Sequence, residues 1–235
     1  MSIPEQYDRK TWAPESLLAA LSASEQAVAL ALGHVRQYHG GEVLFNQGEL
    51  SNFIVIIVDG YVKITAVSEI GTESLVAIRT AGDIVGELAA IDGLPRSATA
   101  RAADAVLARV IMKPELDRCL RQRYDIARAF NQAVSAKLRE ATRRQVDFRR
   151  DTKSRLAQVL AELYHGSAGT RREGRMALLV TQSELAGLIG ASEPAVHKAL
   201  RALRDAGAIS TGYGRLVIED LTKLRQIAED VTSEN

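Results

Sequence analysis

Cysteine is almost missing from the chain: Cys119 is the only one in 235 residues. That rules out an intrachain disulfide and a cluster of thiolate ligands for zinc or iron–sulfur. Long apolar runs are also missing. The longest, Phe53 to Val58, is far too short to span a bilayer. The opening Met1-Ser2-Ile3-Pro4-Glu5 has no basic-then-apolar pattern of the secretory kind. Cytoplasmic residence with no membrane partner is therefore the expectation. His34, His39, His165 and His197 are scattered without ligand spacing, and no catalytic cluster emerges, so neither a metal, nor a cofactor, nor an enzyme is predicted. Charge of one sign is lacking too: the net charge of +1 argues neither for nor against nucleic acid, since binding depends on where the basic groups sit.

What is present is a foldable composition. With 46% hydrophobic and 25% charged residues, the chain has enough apolar surface for one large domain or two modest ones. Helical apolar spacing marks 15–21 and 25–32, with Ser24 as a candidate N-cap. The texture then changes to short apolar runs broken by glycine: Val43–Phe45, Phe53–Val58, Tyr61–Ala66, Ser74–Ile78, Ile84–Val85, Thr99–Ala102 and Val106–Ile111. Many short strands with closely spaced turns predict a small sandwich or barrel. Asp59-Gly60 predicts a hairpin, Gly71 a second, and the β region stops at Pro114.

From about Asp125 to Phe148 there is neither glycine nor proline, which predicts one long helix. Ala127, Phe130, Val134, Leu138, Ala141, Gln145 and Phe148 recur at intervals of three or four. So narrow a stripe fits a seam between two paired helices, and a homodimer through this helix is expected. The plainer alternative is a stripe packed on the helix's own domain. Beyond a boundary near Arg150 come a helix (Asp151–Leu163), a polar loop, a strand-like Met176–Val180, two helices, a hairpin over Ile209–Ile218 turning at Tyr213-Gly214, and a last helix capped by Asp220.

The stretch Gly82 to Ala100 carries the most chemistry. It reads as a strand end, then Gly86-Glu87 opening a short helical turn, then a glycine-containing loop, then Arg96-Ser97 entering a strand. A helix start offers unpaired N–H groups to a phosphate, Gly86 permits close backbone approach, and Arg96 offers a charge-assisted pair. Glu87 can accept a bond from a ribose hydroxyl. Gly86-Glu87-Leu88-Ala89 followed by Pro95-Arg96-Ser97-Ala98 resembles the phosphate-binding cassette of cyclic-nucleotide-binding domains. From about Leu17 to Ile227 the chain resembles the Crp/Fnr superfamily of bacterial regulators. That resemblance implies that Gly86 and Glu87, with Leu88 beside them, hold the ribose, and that Arg96 and Ser97 hold the cyclic phosphate. It also implies a Thr or Ser reaching the base from the long helix, for which Thr142 is the nearest residue. The oxygen-sensing members need several N-terminal cysteines, which this chain lacks.

Residues 181–204 read as a helix-turn-helix. Thr181 and Glu184 form a capping box, Gly190 turns the chain, Ser192 caps the second helix and Pro194 suits its first turn. Val196, Leu200 and Leu203 make the buried stripe; His197, Lys198, Arg201 and Arg204 fall on other faces. The following hairpin supplies a wing bearing Tyr213 and Arg215, against the blander reading of an ordinary helical pair. Thr181, Gln182 and Ser192 are expected at phosphates. Glu193, His197 and Lys198 are expected at base edges, with Arg201 at either. Relatives commonly carry Arg-Glu at the start of this helix and Arg four residues on; Glu193-Pro194 and Lys198 depart from that, which puts the familiar operator sequence in doubt.

The expected fold is α+β: a jelly-roll-like β-roll sensor domain (1–122), a central dimerisation helix (123–150) and a winged helix-turn-helix (151–235). The expected function is operator binding controlled by cyclic AMP or a related cyclic nucleotide, with double-stranded DNA, a second copy of the chain and RNA polymerase as partners. A ligand-independent regulator, or a nucleotide sensor acting through protein contacts, are the rivals.

Overall fold

The computed structural model describes residues 12–147, 150–166, 171–172, 175–212 and 214–229. After a short 3-10 turn at Leu18–Ala20 comes α1 (Ala23–Ala31), which is capped by Ser22, whose side chain accepts from Glu25 N. The expected cap, Ser24, sits inside the first turn instead. Eight strands follow: β1 (His34–Tyr38), β2 (Val43–Phe45), β3 (Phe53–Asp59), β4 (Tyr61–Val67), β5 (Glu73–Thr80), β6 (Ile84–Val85), then, after helix α2 (Glu87–Asp92), β7 (Thr99–Ala102) and β8 (Val106–Met112). They form two antiparallel sheets, in the orders β1-β8-β3-β6 and β2-β7-β4-β5.

The two sheets face each other over a core that includes Phe45, Val55, Ile57, Val62, Ala100 and Val110. The outer face of the first sheet is covered by helices, and there Ile54, Ile56, Val58 and Ile111 join Leu18, Leu116, Ile126 and Phe130. β3 is thus buried on both faces, which is why its sequence is a continuous apolar run rather than an alternation. The Arg109 guanidinium is buried in β8, where it donates to the carbonyls of Leu32 and Gly33 just past α1.

The hairpin expected at Asp59-Gly60 is not one. β3 pairs with β6 and β8, whereas β4 pairs with β5 and β7, so the chain switches sheets at Gly60. Gly60 has φ +80°, and a Cβ there would strike the Ala105 carbonyl oxygen. A left-handed glycine serves a sheet-switching corner as well as a hairpin. Gly71 does turn a hairpin, between β4 and β5, with a bulge at Ile64/Thr65.

The β region gives way to α3 (Lys113–Gln122), a helix not foreseen from the sequence, and then α4 (Tyr124–Val146). α4 buries Ile126, Ala129, Phe130, Ala133 and Ala136 against its own domain. Phe130, expected in the seam, is therefore core. The opposite face leaves Leu138 69% exposed, and Phe148 lies outside the described residues.

The C-terminal part comprises α5 (Thr152–Gly166), β9 (Arg171–Arg172), β10 (Arg175–Leu178), α6 (Gln182–Ile189), α7 (Glu193–Asp205), β11 (Ile209–Gly212), β12 (Arg215–Ile218) and α8 (Leu221–Glu229). Its sheet runs β11-β12-β10-β9. Asp220 accepts from Lys223 N at the start of α8. This core is continuous with the roll, because Tyr61, Leu75 and Ile78 of β4 and β5 pack into it.

Candidate effector pocket and nucleic-acid interface

The cassette is built around Arg96. Gly86 takes a left-handed φ of +82° between β6 and α2. A Cβ at this position would collide with the Arg96 guanidinium and the Phe45 ring, so the glycine makes room for the arginine. Arg96 is 2% exposed. Its Nε donates to Ser51 Oγ at 2.6 Å, and its two terminal nitrogens donate to the carbonyls of Gly86 and Phe53. The rings of Phe45 and Phe53 flank it, with centroids 4.2 and 4.9 Å from Cζ. Three of a guanidinium's five N–H groups are thereby used within the protein. Burial pulls the Arg96 pKa down, and Glu87 and Glu49 oppose that pull.

Glu87 is buried, and its partner is not Arg96. Lys137 Nζ, from α4, lies 2.8 Å from Glu87 Oε1 and donates to Ile84 O at 2.6 Å. Sequence reasoning missed Lys137; the one available signal was a lysine flanked by Val134 and Leu138 of the apolar stripe.

Between the cassette, the β4–β5 hairpin and α4 lies a cleft of about 530 Å³. Gly86, Glu87, Leu88, Arg96 and Ser97 all line it. Thr142 does not: Ala141 takes the lining position, and the Thr142 hydroxyl donates to Leu138 O one turn back. On a helix, one residue is about 100° of rotation, enough to turn a side chain out of a site.

Arg79 joins β5 to α4 at the edge of the same cleft, with Nη1 2.6 Å from Glu140 Oε2. Arg144 also binds Glu140 and donates to Val76 O at 2.6 Å. Burial pushes the Glu140 carboxyl up, but the guanidinia of Arg79 and Arg144 outweigh it and hold the pKa below the ordinary value. Asp83 nearby goes the other way: burial raises its pKa against the opposing charges of Arg79 and Lys137.

The second site is the helix pair. Thr181 Oγ1 accepts from Glu184 N while Glu184 Oε2 accepts from Thr181 N, the full capping box. Gly190 ends α6 with φ +60°, and Ser192 caps α7 by accepting from Ala195 N. Val196, Ala199, Leu200 and Leu203 are buried. Glu193, His197, Lys198, Arg201 and Arg204 are exposed, as are Thr181, Gln182 and Ser192. Arg204 donates to Thr211 Oγ1 of β11, linking α7 to the wing. Arg215 is exposed opposite Gly212 across the β11–β12 turn. Tyr213 lies outside the described residues.

α6 also rests on the roll. Glu184 Oε1 is 2.6 Å from Lys63 Nζ, Leu179 N donates to Tyr61 Oη at 2.6 Å, and Gly187 packs against the Leu75 backbone. Burial lifts the Tyr61 pKa to about 12.

Two family models match: the cyclic nucleotide-binding domain over residues 35–123 and the Crp-like helix-turn-helix domain over residues 154–227. The chain is 29% identical over 216 residues to the CRP-like cAMP-activated global transcriptional regulator of Mycobacterium tuberculosis, covering 91% of this chain and 92% of that protein. It is 25% identical over 214 residues to the cyclic AMP receptor protein of Thermus thermophilus, covering 90% and 96%. Among solved structures, a CRP/FNR-family transcriptional regulator from Thermus thermophilus matches with a TM-score of 0.66 at 27% identity, over 84% of this chain and 100% of that one. These relatives are transcription regulators, not enzymes. No helix among the described residues is long and apolar enough to cross a membrane.

Proposed function

Because the chain belongs to the Crp/Fnr family of transcription regulators, we propose that it binds operator DNA as a homodimer, under the control of a cyclic nucleotide, in the first instance cyclic AMP. The observation that carries this reading is the fixed Arg96 at the floor of the cleft, with Glu87 beside it. The N–H groups of Arg96 left over, together with the Ser97 hydroxyl, would take the cyclic phosphate. Glu87 would accept from the ribose hydroxyl, with Gly86 and Leu88 closing around the sugar.

Lys137 gives binding a route outward. A ribose hydroxyl drawing on Glu87 competes with a lysine carried by α4, the helix whose exposed Leu138 and Ala141 face would pair with a second copy. Ligand thus biases one packing of the paired helices, and the two α7 helices reach successive major grooves ~34 Å apart. In α7, Glu193, His197 and Lys198 would read bases, with Arg201 reading or gripping the backbone. Thr181, Gln182 and Ser192 would hold phosphates, and Tyr213 and Arg215 would act at the wing. Reciprocity requires operator DNA to tighten nucleotide binding by the same factor.

One observation favours a second reading, a regulator that needs no nucleotide: three of the five Arg96 N–H groups and one Glu87 oxygen are already engaged by the chain itself. Calorimetric titration with cyclic AMP, on wild type and Arg96→Ala, separates the two. Saturable heat lost in the variant supports nucleotide control; no heat in the wild type supports the second reading. Selection of genomic fragments with and without cyclic AMP then gives the operator.

A further inference from the structure

The helix pair is docked on the sensor roll at three points, along α6 and the residues just before it. Tyr61 and Lys63 stand two apart on β4, so both side chains leave the same face of the strand. Tyr61 Oη accepts from Leu179 N ahead of α6, and Lys63 Nζ donates to Glu184 Oε1 in its first turn, each at 2.6 Å. One turn on, Gly187 lies against the Leu75 backbone of β5. Glu184 and Gly187 are three apart on the helix and share a face. Little water reaches the junction: the Lys63 and Glu184 side chains are 15% and 26% exposed, and Tyr61 is buried.

Glu184 serves both sides of this junction. Its Oε2 accepts from Thr181 N and closes the capping box, while its Oε1 takes the lysine. A residue of the roll is therefore one carboxylate away from Thr181 and Gln182, the proposed phosphate contacts. The dock leaves the DNA face open: Thr181, Gln182, Glu193, His197, Lys198 and Arg201 are all exposed with the roll in place. α6 and α7 share a core through Leu185, Val196 and Leu200, so whatever fixes α6 also fixes α7.

A dimeric reader must hold two such helices at a set separation. One base pair of error moves a half-site by ~3.4 Å along the duplex and turns it by ~35°. A single chain connection lets the helix pair swing, whereas three separate contacts on a sheet fix its orientation. We infer that Lys63 is a positioning residue for DNA recognition: through Glu184 it holds the helix pair on the roll, and so sets the half-site spacing that the dimer accepts. The inference rests on the proposed operator-binding homodimer.

Gel shifts of the full-length protein with cyclic AMP test it, on palindromic duplexes whose half-sites are moved by one and two base pairs. Wild type should favour one spacing. A misplaced half-site is reached by undocking one helix pair, and Lys63→Met lowers that cost by one ion pair, so the preference should shrink about two- to fivefold. Affinity for a single half-site should not change, and Lys63→Arg, which keeps the charge, should keep the wild-type profile. Tyr61→Phe keeps the ring in the core and loses only the hydroxyl; it should also flatten the profile, and it answers if Lys63→Met does not fold. A spacing profile unchanged in both variants, or a wild type indifferent to spacing, overturns the inference and leaves operator binding standing. A wild type that selects no duplex overturns both.

Discussion

Lys137 of the long helix and Glu87 of the cassette meet at 2.8 Å, with side chains only 17% and 9% exposed. Removing one member of such a pair strands the other charge out of water, whereas removing both does not. Lys137→Met should therefore lower unfolding free energy by ~2–4 kcal/mol, and Lys137→Met/Glu87→Gln by less than the sum of the singles. Urea denaturation of the four proteins measures the difference. Additive losses would mean the two groups are neighbours without coupling.

α6 packs on β5 so closely that a Cβ on Gly187 would lie 3.0 Å from Leu75 N and 3.3 Å from its carbonyl oxygen. Gly187→Ala improves helix propensity by ~1 kcal/mol, yet should loosen the packing between helix and strand. Hydrogen exchange of the β5 and α6 amides is the readout. Faster exchange is expected in β5 despite the better helix former. Slower exchange in both would show that propensity has won and that the junction tolerates a methyl group.

Glu140 makes one part of stability depend on acid. Its pKa is depressed from 4.5 in the fold, by Arg79 and Arg144 against the effect of burial. A depressed carboxylate stabilises above its unfolded pKa, and that contribution disappears as pH falls through the folded value. Glu140→Gln should thus cost ~1–3 kcal/mol at about pH 7. The gap to wild type should narrow steadily below about pH 4.5. A gap of constant size across that range would detach the effect from ionisation.

On the DNA side, Lys198→Ala should relax preference among operator variants by ~1–3 kcal/mol for each base-edge hydrogen bond removed. Arg215→Ala, at the wing, should weaken all sequences alike and reduce the salt slope by about one. Gel shifts over an operator series at several salt concentrations distinguish the two patterns. Unchanged discrimination removes Lys198 from the reading set.

The helix pair was legible because its signals are local: Thr181 with Glu184, Gly190, and Ser192 before Pro194 each act within one turn of chain. The apolar runs of the roll were legible for the same reason. Strand partnership was not. Asp59-Gly60 encodes a bend, while the choice of β8 for β3 and of β5 and β7 for β4 is made by residues far along the chain. β1 went unseen because His34–Tyr38 is mostly exposed and carries no apolar alternation. In the cleft, Gly86, Glu87, Leu88, Arg96 and Ser97 were readable as one contiguous motif. Lys137 comes from an element 50 residues away, and Thr142 misses the lining by the turn of one residue.

The aromatic bracket of Phe45 and Phe53, with Ser51 at its side, has an entropic consequence for any anion that enters. An unrestrained arginine carries ~2 kcal/mol of rotamer freedom that a newly formed interaction must suppress. At Arg96 that ordering is completed when the chain folds, so the receptor stands shaped before its ligand arrives. Recognition of an anion at this end should then draw little on flexibility, and the Glu87–Lys137 contact to the long helix is the neighbouring one that a ligand could still rearrange.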